Sequence, residues 1–118
     1  GVRIVAGSNN QIGGSASAAM NVIAGNSNAG ILLEGSGTSG TLIYGNRVGV
    51  DAAGSRLANG ASSIAVVGSA AGTQIGGRLS GEGNVIGGSF DQGIYLANTS
   101  QTQIRGNRIG TNPAGSAK

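Results

Sequence analysis

The strongest constraint on this chain is that it is written twice. "IYGNRVGVDAAGS" at 43–55 returns as "IRGNRIGTNPAGS" at 104–116, matching at eight of thirteen positions. "NQIGG" (10–14) returns as "TQIGG" (73–77), "NVIAGN" (21–26) as "NVIGGS" (84–89), and "NAGILLEG" (28–35) as "DQGIYLAN" (91–98). The spacing is always 61 to 63 residues, so the unit is about 62 residues long and occupies 1–63 and then 64–118. Tandem units of this kind bury their apolar sides against one another, which predicts a single domain over 1–118 rather than two separate cores.

A finer period lies inside each unit. "VRIV" (2–5), "ILLE" (31–34), "IAVV" (64–67) and "IYLA" (94–97) recur about every 30 residues. Each places apolar residues at alternate positions, as a strand with one buried side does. Val2 and Ile4, Ile31 and Leu33, Ile64 and Val66, and Ile94 and Leu96 are expected to point inward. A second family follows at Ile12, Ile43, Ile75 and Ile104, and a third at Val22, Val48, Val85 and Ile109. Three strand families visited four times in the same order describe a helical path with three faces. Equivalent strands then stack in parallel, whereas sequential strands of a sandwich would run antiparallel. The expected fold is an all-β, single-stranded parallel β-helix of about four coils. Its core is expected to be Ile31, Leu33, Ile43, Ile64, Val66, Ile75, Ile94, Leu96 and Ile104.

The glycine content fits this path. There are 25 Gly and only 1 Pro in 118 residues, and so many glycines would undermine helices at roughly 1 kcal/mol each relative to Ala. Tight corners between faces need a positive φ, which Gly and Asn tolerate best. We therefore place corners at Gly45–Asn46 and Gly106–Asn107, where stacked asparagines can also bond along the axis. Coils one and three insert a loop between the second and third faces, at 14–20 and 77–83. Coils two and four turn sharply there and insert after the third face, at 51–63 and from Asn112 onward.

"NVIGG", "GILLEG", "LIYGNRVGVDAAGS" and "QIRGNRIGTNPAGS" resemble the right-handed parallel β-helix repeats of large secreted bacterial surface proteins, within the pectate-lyase-like superfamily. The resemblance covers nearly the whole chain. It implies right-handedness and an extracellular or cell-surface location. It says little of activity, because one fold hosts lyases, epimerases, adhesins and passive stalks.

Chemistry-bearing residues are few. Charged residues are 9% of the chain, with no His and no Cys, which removes the commonest general base and any thiolate metal site. A glycosidase needs two carboxyl groups roughly 5 to 9.5 Å apart. Glu34 faces outward with Val5, Val67 and Ala97 as its counterparts, and Asp51, Glu82 and Asp91 fall on separate loops. "IGG" lacks the following Asp of a calcium-binding roll, and no phosphate loop occurs. No catalytic residue, metal or cofactor is therefore expected. Net charge is +3, with scattered cations and 3% aromatics, unlike the clustered basic face of a nucleic-acid binder. No apolar run is long enough to span a membrane. Arg47 and Arg108, outward and two coils apart, are candidates to grip an anionic sugar, or else to bond the Asn21 and Asn84 rungs. Thr41, Thr73 and Thr102 stack, and are expected inside or at a corner rather than as an outward ice-binding row. Val5, Leu32, Val67 and Tyr95 form an apolar outward strip, either a contact face for another chain or ground covered by the 51–63 loop.

Coil one resembles coil three and coil four resembles coil two, so coil four is chemically prepared to meet another coil one. A continuation into an identical copy would lack only the residues matching Ala58–Ser62. The chain reads as an excerpt of a longer β-helix or as a protomer that stacks end to end. The expected function is a noncatalytic structural module, a rigid rod, stalk or filament. The alternative is a carbohydrate-binding adhesin or polysaccharide-lyase-like domain whose active residues lie outside this chain, with a glycan as its partner.

Overall fold

Short apolar segments separated by glycines cannot extend a helix, and each is long enough for only two to four residues of strand. The structure, a computed structural model, describes residues 1–111. Twelve strands follow in order: β1 (Val2–Ile4), β2 (Gln11–Gly13), β3 (Val22–Ile23), β4 (Ile31–Glu34), β5 (Leu42–Tyr44), β6 (Arg47–Val48), β7 (Ile64–Val67), β8 (Gln74–Ile75), β9 (Val85–Ile86), β10 (Ile94–Ala97), β11 (Gln103–Ile104) and β12 (Arg108–Ile109). One 3₁₀ turn, Ser17–Ala19, sits in the first loop.

Every third strand pairs in parallel. The three sheets run β1-β4-β7-β10, β2-β5-β8-β11 and β3-β6-β9-β12. The molecule is a parallel β-solenoid with three faces. From β1 to β10 the chain completes about three turns, and β11 and β12 add two faces of a fourth. The expected count of four coils thus becomes about three complete turns, with the loop from Asn112 lying outside the described residues. The dimensions are 36 × 30 × 19 Å. Four rungs at about 4.8 Å each account for the shortest of these.

Register aligns the core into ladders. On the first face Val2, Ile31, Ile64 and Ile94 are in line, as are Ile4, Leu33, Val66 and Leu96. On the second, Ile12, Ile43, Ile75 and Ile104 are in line. Ile31, Leu33, Ile43, Ile64, Val66 and Ile75 are completely buried. Three of the expected core residues need correction. Leu96 is 40% exposed and Ile104 42%, while Ile94 is only partly buried against the core. They hold their ladder positions but sit on the last described rung, with no strand stacked beyond them among the described residues.

The third ladder is shifted by one residue from expectation. It contains Ile23, Val48, Ile86 and Ile109, whereas Val22 and Val85 align with Arg47 and Arg108 on the outside. A slip of one position exchanges the two sides of a strand, and Val22 is accordingly exposed.

Candidate functional site

The corner after the second face is the most elaborately bonded part of the molecule. Gly45 and Gly106 turn it at φ +67° and +66°, conformations that cost an L-residue with a Cβ. A Cβ on Gly45 would also collide with the carbonyls of Gly14 and Gly81, from the rungs on either side. Asn46 and Asn107 have negative φ, so their contribution comes from the side chain rather than from left-handed backbone.

That contribution is a ladder of four asparagines, Asn21, Asn46, Asn84 and Asn107. The backbone N–H and Nδ2 of Asn46 both donate to Asn84 Oδ1, at 2.8 and 3.1 Å. Asn84 donates in the same way to Asn107 Oδ1, at 2.9 Å each, and Asn21 to Asn46 Oδ1 at 3.3 and 3.1 Å. Three of the four Nδ2 groups also reach back one turn to an isoleucine carbonyl: Asn46 to Ile12, Asn84 to Ile43 and Asn107 to Ile75. Asn46 and Asn84 are 1% exposed; buried amides so placed satisfy donors and acceptors across three rungs at once. A second step of the same design joins Asn26 to Asn59. The sequence pointed to Asn46 and Asn107 but not to Asn26–Asn59, whose members sit at unequal places in their coils.

The two equivalent arginines of the third face bond the asparagine rungs through their backbone N–H groups, Arg47 donating to the Asn21 carbonyl and Arg108 to that of Asn84. The Arg47 guanidinium donates to the Ala52 carbonyl and fastens the 51–63 loop. Thr41 and Thr73 point inward and are completely buried, as expected, and their hydroxyls find no partner among the described residues.

On the first face, Val5 is 50% and Tyr95 43% exposed, while Leu32 and Val67 are half-buried. Leu32, Val67 and Tyr95 line a depression of about 520 Å³ with Ala65, Arg3 and Asp91; Val5 stands apart from it. The 51–63 loop contributes only Ala61 and Ser62 to its edge. Arg3 pairs with Glu34 across adjacent rungs.

The second face carries a hollow that attention to the inward isoleucines alone passes over. Its outward rows are Gln11, Leu42, Gln74 and Gln103, and Gly13 in line with Tyr44. Tyr44 donates its hydroxyl to Gln74 Oε1 at 3.0 Å. Tyr44, Gln74, Gln103 and Arg105, with Arg78, Leu79 and Glu82 from the 77–83 loop, border a hollow of about 320 Å³. No hydrogen bond or ion pair engages the Arg78 or Arg105 side chain among the described residues. The signal that could have found this hollow is the strand alternation itself, read for its outward members.

Asp51 and Glu82 serve local structure. Asp51 Oδ1 accepts from the N–H of Ala53 and Ser55, and Glu82 Oε1 from that of Leu79. Among the described residues no group of three His, Cys, Asp or Glu side chains could hold a metal ion, and no helix is long and apolar enough to cross a membrane. No family model matches the chain, and neither the curated proteins nor the solved structures include one significantly similar to it.

Proposed function

We propose that this chain is a noncatalytic structural module, a segment of β-helical rod or stalk. The carrying observation is axial continuity: aliphatic ladders and the asparagine ladder pass through every rung without interruption. Rows of identical backbone bonds transmit load along the axis, and each turn is held only by its neighbours. The sequence resemblance to secreted β-helix repeats supports an extracellular or cell-surface setting and a right-handed path. The test is to incubate the purified chain with neutral and acidic polysaccharides. Neither cleavage nor retention on the immobilised polymer is expected; release of shortened or unsaturated sugars would overturn the reading.

A second reading rests on the hollow of the second face. An aromatic ring, two amides and two arginines that have no side-chain partner among the described residues are the groups that recognise an acidic saccharide, by stacking, hydrogen bonding and charge. On that reading the module is an adhesin surface. Retention on an acidic glycan that is lost in both Tyr44→Ala and Arg105→Ala would favour it.

A further inference from the structure

We propose that Asn59–Gly60 is a self-modification site sealed by the fold: when the rungs around it open, Asn59 converts to an acidic residue and the altered chain no longer reseats. The proposal goes beyond the structural reading and does not depend on it.

The chemistry is set by the sequence. Asn59–Gly60 is the one Asn–Gly pair in the 118 residues. In a mobile chain the backbone nitrogen that follows an asparagine attacks the side-chain amide carbon. A C–N bond forms to give a cyclic imide, and the amide nitrogen leaves as ammonia with the proton of the attacking N–H. Water then opens the ring at either carbonyl and yields aspartate or its β-linked isomer. Water is the only co-reactant. A following glycine makes this the fastest of the Asn–X pairs, because no Cβ obstructs the approach and the backbone turns easily.

The fold withholds each part of that reaction. Asn59 is completely buried. Its Oδ1 accepts from the N–H and Nδ2 of Asn26 at 3.1 and 3.0 Å, and its Nδ2 donates to the Ile23 carbonyl at 3.3 Å. The attacking group is held as firmly, since the Gly60 N–H donates to the Asn26 carbonyl at 2.8 Å. Gly60 also lies against the Ser27 carbonyl, closer than any Cβ would allow, so the rotation needed for ring closure is blocked. On the other side Asn59 donates its N–H to the Gly88 carbonyl, and its own carbonyl accepts from the N–H of Phe90. Coil one covers the site from one side and coil three from the other. By contrast Asn9, Asn28 and Asn98 are exposed, and each is followed by a residue with a side chain. Folding therefore inverts the intrinsic order, and the most reactive asparagine becomes one of the most protected.

Conversion cannot be absorbed in place. The Nδ2 donor becomes a carboxylate oxygen set against the Ile23 carbonyl that it formerly served, and a charge at a completely buried position is costly. The β-linked isomer lengthens the main chain by one carbon, in a stack whose pairing is set residue by residue. Opening is thus recorded covalently and in one direction.

The experiment incubates the 118-residue chain at mildly alkaline pH, folded and in denaturant, and follows each asparagine by peptide mapping with mass spectrometry and isoaspartate labelling. Asn59 is expected to convert first in denaturant. In the folded chain it should lag behind Asn9, Asn28 and Asn98, slowed by roughly a hundredfold or more through the opening equilibrium. At intermediate denaturant its rate should rise with the open fraction. Asn59→Asp is expected to refold with a lowered denaturation midpoint or not to refold. Conversion as fast in the folded chain as in the unfolded one, a rate indifferent to the open fraction, or an Asn59→Asp chain as stable as the wild type each overturns the proposal. None of these results bears on polysaccharide cleavage or retention, so the structural reading stands or falls separately.

Discussion

Asn84 shows how much a single side chain does here. Its amide and backbone take part in bonds to Asn46, Ile43 and Asn107. Replacing it with Leu leaves the Asn46 backbone N–H buried and unpaired and takes the amide donor from the Ile43 carbonyl and from Asn107 Oδ1, so we expect a loss of about 2 kcal/mol. Asn107→Leu, at the half-covered end of the ladder, should cost about half of that; chemical denaturation of both variants tests the ranking. Thr73 works the other way. Its buried hydroxyl has no partner, and Thr73→Val is expected to raise stability by about 1 kcal/mol, read from the denaturation midpoint. The asparagine positions were legible in the sequence because "GN" recurs at the corner. Their negative φ was not, since composition cannot tell whether Asn serves through backbone or amide. The third-face slip has a similar origin. In "NVI" both Val22 and Ile23 are apolar, so alternation does not choose between them. "NRV" and "NRI" in the neighbouring coils do choose, because Arg47 and Arg108 must face out, and aligning the four coils on those arginines would have set the register.

Among the elements, equivalent strands differ only in what lies beyond them. β8 and β11 both carry an inward isoleucine, yet Ile75 is completely buried and Ile104 is 42% exposed. Ile75→Asp would place a carboxylate in the sealed interior, which costs more than a small domain's margin, and the cooperative β signal should disappear. Ile104→Asp in dilute solution should shift stability by no more than about 1 kcal/mol. Survival of the Ile75 variant would refute the core assignment. The turns offer a matched pair: Gly49→Ala and Gly110→Ala impose the same left-handed strain, about 1–2 kcal/mol, but among the described residues only Gly49 also meets a carbonyl. We expect Gly49→Ala to be clearly the worse of the two. Strand phase on the first two faces was legible from alternation. Coverage was not, because a local pattern fixes which way a side chain points and not how many rungs lie above it.

At the scale of the whole molecule, protection should follow rung order. Amides of β4, β5, β7 and β8 lie between paired neighbours on both sides, while among the described residues β1 and β10 to β12 have a neighbour on one side only. Hydrogen exchange should therefore proceed from the outer rungs inward, and uniform exchange across all rungs would contradict a stack of separately held turns. The three-faced path was legible because the order of strand families repeats. The hollow beside Tyr44 was not, since it needs the 77–83 loop brought over the second face by folding. One more consequence comes from the alternation of the loops. The protrusions at 14–20 and 77–83 leave the same corner two rungs apart, close enough that Gly81 abuts the Ser15 carbonyl. The 51–63 segment leaves from a different edge on the rung between. Any lengthened form would be a comb with teeth about 10 Å apart on each edge, where variation at the tips leaves the spine that spaces them unchanged.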